Sequence, residues 1–435
     1  MHPGPSLRAA LAVAAGVSTL AGVLAIDAAL PAAGTASGAG PAHDYVHGLL
    51  LGLAALVTLA VMVIVMNAFA TSLRRRTHVL ALLRATGATA TPVVLVVLLQ
   101  ATAIGLLGCA LGMLGGIGVL HLLDVVVASS NTPLEGLEAA ATAPTPAAIA
   151  VGLPATLIGA LPPAIGAART PPAGAASNET PRSSAARGVV GAVAGPLGIV
   201  GICVAWRMDG LAHRLPVLGT SAALLLIGLL IALPAVLRPL VLLLGLPVRP
   251  TPSGFLAVRH LAATPRHGAA LAAAPLLGAA ATCLTIPTAA GLRASQATTA
   301  AQETVLDALP ILLAAVSLLA GFCTAGALAA STSQRSAETA LLQAVGRSRA
   351  QAVGQFLCEV LLAGAGGVIL GGASGLLMSV ALNAVLLDHT QFGTIVPDMG
   401  LLVPASVGCV GGALAALVPA LRATRPSADP NIDAE

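Results

Sequence analysis

The sequence contains no lysine; all twenty of its basic residues are arginines. That absence excludes mechanisms built on a lysine amine, such as a Schiff base or the phosphate-gripping lysine of a P-loop, so the chain cannot supply a Walker A ATPase site. Charge of either sign is sparse, at 8% of residues against 57% hydrophobic, and the mean hydropathy is +0.96. So little polar surface cannot cover a water-soluble globule of 435 residues, and the solvent for this chain is a lipid bilayer. Aromatic residues make up only 2%, too few for stacking on nucleobases, so no nucleic acid is expected as a partner. The net charge of +4 reads instead as loop arginines facing one side of a membrane. The six cysteines (Cys109, Cys203, Cys283, Cys323, Cys358 and Cys409) fall inside apolar runs without metal-ligand spacing. They read as small packing residues, and no disulfide is expected.

What is present is a repeat. RSAETALLQAVGRSRAQAVGQFLCEVLLAGAGGVILGGASG, from Arg335 to Gly375, has an echo 259 positions earlier in RTHVLALLRATGATATPVVLVVLLQATAIGLLGCALGMLGG, from Arg76 to Gly116. Gly105, Gly108, Gly112 and Gly116 align with Gly364, Gly367, Gly371 and Gly375. One register held over some forty residues marks two copies of one module.

Hydropathy places ten spans, roughly 7–30, 49–72, 93–120, 145–168, 188–206, 217–237, 268–290, 309–332, 350–386 and 399–421. The expected fold is all-α: a polytopic membrane protein of two parallel four-helix modules joined by a two-helix hairpin. Residues 1–170 form the first module, 171–250 the linker and two-span connector, and 251–435 the second module with its tail. Equivalent points lie six spans apart, an even number, so the modules share one orientation. On this layout seventeen arginines fall on one side and three (Arg207, Arg214 and Arg293) on the other, which makes both termini cytoplasmic. Each long third span is preceded by a short amphipathic segment, 77–86 and 335–345. Gly87 is placed to end the first as a left-handed cap. Thr91 and Pro92 read as N-cap and first residue of the third span, and Ser348 with Gln351 has capping-box spacing in the second copy.

The glycine ladders carry tandem GxxxG spacing, which lets helix backbones approach closely in lipid; their expected role is packing, in a seam between the two long spans. Glu359 and its counterpart Gln100 lie one to three turns into those spans, where a carboxylate needs a partner or water. Glu359 reads as a polar anchor near the inner interface, with a proton relay as the alternative. His43 and His47 have the i, i+4 spacing that can share a metal, beside Asp44, but no third ligand is fixed by sequence, so no metal site is assigned. No catalytic constellation is present.

Taken together, a span, then RTHVLALLRATG or RSAETALLQAVG, a long glycine-rich span, another span, and a closing ALPPAIGAAR (160–169) or ALVPALRATR (416–425) resemble the FtsX-like permease family. These are membrane subunits of ABC transporters related to macrolide-export and lipoprotein-releasing permeases, and the chain looks like the ten-span actinobacterial type. LAVRHLAATPRHGAALA (256–272) likewise resembles the basic lead-in to a family module. The resemblance implies a partner, a cytoplasmic ABC ATPase dimer docking on the two amphipathic segments through Arg76, His78, Leu82, Arg84 and Gly87 in the first copy. In the second copy the residues implied are Arg335, Glu338, Leu342, Gly346 and Arg347. ATP and Mg would belong to that partner, with no cofactor bound by this chain and no enzymatic activity of its own. The chain departs from the family pattern in its short outer loops, 31–48 and 291–308, in Val79 where the second copy has Glu338, and in lacking a basic lead-in at the N-terminus.

The function so implied is a permease in the cell membrane that couples ATP hydrolysis elsewhere to export or extraction of an amphiphilic substrate, such as a lipid, peptide or hydrophobic antibiotic. A non-transporting signal transmitter controlling a cell-wall enzyme is the alternative, and an ion-coupled secondary transporter a more distant one.

Overall fold

The computed structural model describes residues 10, 13–24, 26, 27, 41–75, 90–128, 144–168, 183–208, 211–294, 303, 305, 306, 309, 313, 316 and 346–386. Among these residues the regular structure is helical, in α1 (Val13–Leu24), α2 (Pro41–Arg75), α3 (Ala90–Ala128), α4 (Pro144–Ala168), α5 (Ser183–Arg207), α6 (Leu211–Leu244), α7 (Pro252–Ala263), α8 (Pro265–Ala294) and α9 (Arg349–Leu386). Seven of them, all but α1 and α7, are long and apolar enough to cross a membrane, so this is a multi-pass membrane protein. Most of the expected span at 309–332 and all of that at 399–421 lie outside the described residues, although Leu309, Leu313 and Val316 are helical and buried.

The third span of the first module is longer than hydropathy alone suggests, and that of the second matches its expected bounds to within one residue. At ~1.5 Å per residue, the 39 residues of α3 and 38 of α9 reach ~57 Å, against a ~30 Å hydrocarbon core, a length that calls for tilt or projection beyond it. The start of α3 corrects the sequence reading. Its first helical residue is Ala90, so Thr91 and Pro92 lie second and third in the helix rather than at its cap and first position. Proline is tolerated there because the first turn's N–H groups have no intrahelical partner.

α8 lies at the centre, packed on α9, α2, α6 and α7, and Leu271, Ala272, Leu276, Ala280 and Ala281 are fully buried along it. α3 and α5 lie at the periphery with one face turned outward. Leu99, Leu107 and Leu114 of α3 are about 60% exposed, an apolar belt suited to lipid. Hydroxyls inside the bundle are satisfied locally: Thr282, Thr285 and Thr288 donate to the carbonyls of Gly278, Ala281 and Leu284. The Thr288 and Ser379 hydroxyls, 3.0 Å apart, join α8 to α9.

The glycines show how the helices are laid together. Gly108, Gly112 and Gly116 of α3 face Val13, Val17 and Ala21 of α1, while Gly367, Gly371 and Gly375 of α9 face Ala272, Leu276 and Ala280 of α8. Both series ascend together, so first and third spans of a module run parallel. In the hairpin, Gly191, Gly198 and Gly201 of α5 meet Ala232, Leu225 and Ser221 of α6, a descending series and an antiparallel pair. The expected seam between the two long spans is therefore corrected. Each ladder packs against the first span of its own module, because the glycine spacing sets which face is smooth but not which helix lies on it. Gly105 is the exception in the first copy, since it lies under Leu153 and Thr156 of α4. Gly364 is buried in α9.

The contacts also extend the repeat. Val13, Val17 and Ala21 stand 259 positions before Ala272, Leu276 and Ala280, the same offset that relates the ladders themselves. The pseudo-symmetry thus includes the first spans, where the sequences show no alignment by eye.

A polar junction at the head of the second long span

The start of α9 is built by local sequence. Gly346 has φ +100°, a backbone conformation that side chains disfavour. The chain then enters the helix through a reciprocal cap, in which the Gln351 N–H donates to Ser348 Oγ at 3.2 Å and the Ser348 N–H to Gln351 Oε1 at 3.1 Å. The capping-box expectation is met. Of the expected docking residues, Gly346 and Arg347 are described, whereas Arg76, His78, Leu82, Arg84, Gly87, Arg335, Glu338 and Leu342 lie outside the described residues.

From Arg347 a line of polar groups runs down α9. The Arg347 guanidinium donates to the Gln351 carbonyl at 3.2 Å and to Gln355 Oε1. Gln355 Nε2 donates in turn to Glu359 Oε1 at 2.9 Å. The four-residue steps from 351 to 359 place Gln351, Gln355 and Glu359 on one helix face, and Arg347 reaches them from just before the helix. Burial lowers the pKa of Arg347, and the negative charge of Glu359 opposes that shift.

Glu359 is 0% exposed. Facing it are His260 of α7, with Nδ1 3.5 Å from Oε1, and His267 of α8, with Nε2 3.6 Å from Oε2. The two rings meet edge to face, with centroids 5.8 Å apart. In an uninterrupted helix two residues seven apart would be separated by ~10 Å along the axis. They converge here because the chain turns a corner at Thr264–Pro265. Pro265 cannot continue the hydrogen bonding of α7, and the Thr264 N–H and hydroxyl both donate to the His260 carbonyl. α7 itself starts at a threonine cap, with Gly254 N–H donating to Thr251 Oγ1 at 3.1 Å and Pro252 in the first turn. It buries Gly254, Ala257, Val258 and Leu261 along one side.

Neither α7 nor the two histidines was singled out from sequence. The signals were Thr251-Pro252 and Thr264-Pro265, two helix starts in close succession within a stretch read as the basic lead-in to the second module. Gln100, the counterpart of Glu359, is exposed. His47, considered with His43 and Asp44, instead pairs with Asp27, Nδ1 to Oδ1 at 2.6 Å, and ties the end of the first span to α2.

The FtsX-like permease C-terminal family matches this chain at residues 51–172 and 310–428. No curated protein and no solved structure gives a match. The family pattern thus covers more than half of the sequence, once in each half, and the chain belongs to the FtsX-like permease family.

Proposed function

We propose that this chain is the membrane subunit of an ABC transporter, working as a pseudo-dimer over two cytoplasmic ATPase subunits that dock at 76–87 and 335–347. The observation that carries the reading is the family pattern present twice, with both copies of the third span laid in the same register on their first spans. Two equivalent docking segments suit two equivalent ATPase subunits. The sequence has no lysine with which to grip a phosphate, so hydrolysis belongs to the partner. The line from Arg347 through Gln355 to Glu359 would carry a displacement of the second docking segment into the bundle, against α7 and α8. The substrate is an amphiphile, a lipid, peptide or hydrophobic antibiotic, drawn along the apolar outer faces rather than through a deep channel.

Two measurements test this. The ATPase encoded beside this chain should co-purify with it and hydrolyse ATP faster in its presence; a full-length chain that neither binds nor stimulates that ATPase in nanodiscs overturns the reading. For orientation, single cysteines introduced by Ser37→Cys and Ser177→Cys into a background without native cysteines should differ in intact cells. The first should react with an impermeant maleimide and the second should not. Labelling at position 177 would invert the topology on which the docking sites depend.

A further inference from the structure

We propose that His260, His267 and Glu359 form a transition-metal site of the zinc class, joining α7, α8 and the head of α9. It rests on side-chain geometry and is independent of the transport reading. The three ligand atoms all lie within 4.8 Å of one another. The two histidine-to-carboxylate separations, 3.5 and 3.6 Å, are too long for ordinary N–H···O hydrogen bonds. They are close to the edge of a tetrahedron around zinc, which at bond lengths of ~2.0–2.1 Å is roughly 3.3 Å. His267 Nε2 is buried and makes no hydrogen bond, although it is aimed at the carboxylate.

The donor set selects the ion. Two imidazoles and one carboxylate suit zinc and its first-row neighbours, whereas calcium and magnesium prefer all-oxygen shells. Three protein ligands leave the fourth tetrahedral position to water, and His260 is 24% exposed. The carboxylate already has an outer partner, since Gln355 holds Oε1 and is itself held by Arg347. Two neutral imidazoles and one carboxylate carry a single negative charge, and Arg347 adds a positive one nearby. Affinity should therefore fall short of that of a closed four-ligand structural site. A fully buried carboxylate otherwise demands a neutralising group, and a divalent ion between the three ligands supplies it.

A metal here would pin the corner at Thr264–Pro265 to the head of α9, one helical turn from the residues that hold Arg347. The three ligands are not repeated at the equivalent positions of the first module, where Met1, Arg8 and Gln100 stand 259 residues before His260, His267 and Glu359.

The test uses the full chain in nanodiscs, stripped with a chelator and then titrated with Zn(II), with Co(II) as a spectroscopic probe. One equivalent of zinc per chain is expected, together with visible Co(II) absorption of tetrahedral intensity and a higher melting temperature with zinc. His267→Ala and Glu359→Gln should abolish all three, and Gln355→Ala should weaken zinc binding about 10- to 100-fold. His47→Ala, at the other histidine pair, should change none of them. If Glu359→Gln does not fold, His260→Ala at the more exposed ligand decides the question. Failure of the wild-type chain to take up zinc, or uptake that persists in both histidine variants, overturns the site. That result would leave the transport reading to stand or fall on ATPase binding alone.

Discussion

The two long spans share a register and differ in chemistry. α3 and α9 each present three glycines to their module's first span at the same offset, yet α3 exposes Gln100 where α9 buries Glu359 among two histidines and a glutamine. The glycine contacts differ in kind as well. Those of α9 lie on the backbone carbonyls of Ala272, Leu276 and Ala280, whereas two of those of α3 lie chiefly on the side chains of Val13 and Ala21. Duplication kept the close approach of helices, which lipid rewards through packing, and left the polar positions free to diverge. Among the described residues the pair α8 and α9 is therefore tighter and more polar than the pair α1 and α3, and a change there should cost more.

The largest expected effect breaks that tightness. A methyl at Gly375 would sit 2.5 Å from the Ala280 carbonyl oxygen, but one at Gly116 would meet only the Ala21 methyl at 3.0 Å. A backbone atom cannot step aside as a side chain can, so Gly375→Leu should abolish recovery of monodisperse protein in detergent, while Gly116→Leu leaves a reduced but folded fraction. Gly375→Ala and Gly116→Ala repeat the comparison more gently, with a clear loss of melting temperature in the first and little change in the second. Equal behaviour of the two ladders would mean that the modules are packed alike.

Next in size is the polar difference. Removing one partner of a buried charged group typically costs about 3–5 kcal/mol, so Glu359→Ala should lower thermal stability strongly. Gln100→Leu, at an exposed position of α3, should stay within about 0.5 kcal/mol of the parent. If the two substitutions prove equally mild, the junction contributes little and the asymmetry is one of sequence only. Smaller again is Arg347→Ala, which severs the link to Gln355 at the surface of the bundle. Melting should barely move, and stimulation of the partner ATPase should fall several-fold; unchanged stimulation would remove the junction from the coupling route.

Much of this architecture is legible in the sequence, because in lipid the signals are strong: long apolar runs define helices and aligned glycines reveal duplication. The cap at Ser348 and Gln351 is equally readable, since it depends on residues three apart. What could not be read is adjacency. The spacing of Gly108, Gly112 and Gly116 defines a smooth face, and α1 lies on it only because the bundle closes that way. The histidines were hidden for the same reason. His260 and His267 stand seven residues apart in a stretch that looks like a basic loop, and they reach Glu359 only through the turn at Thr264–Pro265 and the docking of α7.

The smallest expected difference lies at the helix starts and separates the modules without touching their cores. In α9 the cap is reciprocal, so both the Ser348 and Gln351 N–H groups are satisfied by side chains. The first module has Thr89 and Pro92 at the same positions, since α3 begins at Ala90 as α9 begins at Arg349. Proline offers no N–H for a capping oxygen and no side-chain carbonyl to return the bond, so a reciprocal cap of the α9 kind cannot be built on Pro92. Ser348→Ala should accordingly cost about 1 kcal/mol, near the middle of the range for lost caps, and Thr89→Ala less. These values are too small for a reliable melting shift in a protein of this size, so the measurement is amide hydrogen exchange over the first turn of each helix. Ser348→Ala should speed exchange at residues 349–352 about fivefold, the factor that corresponds to about 1 kcal/mol of local opening, with no change further along α9. Gln351→Ala should accelerate the Ser348 amide and leave the other capped N–H protected by the hydroxyl. If Thr89→Ala opens the head of α3 as far as Ser348→Ala opens that of α9, the two helix starts are equivalent, and the asymmetry of the modules begins only at Glu359.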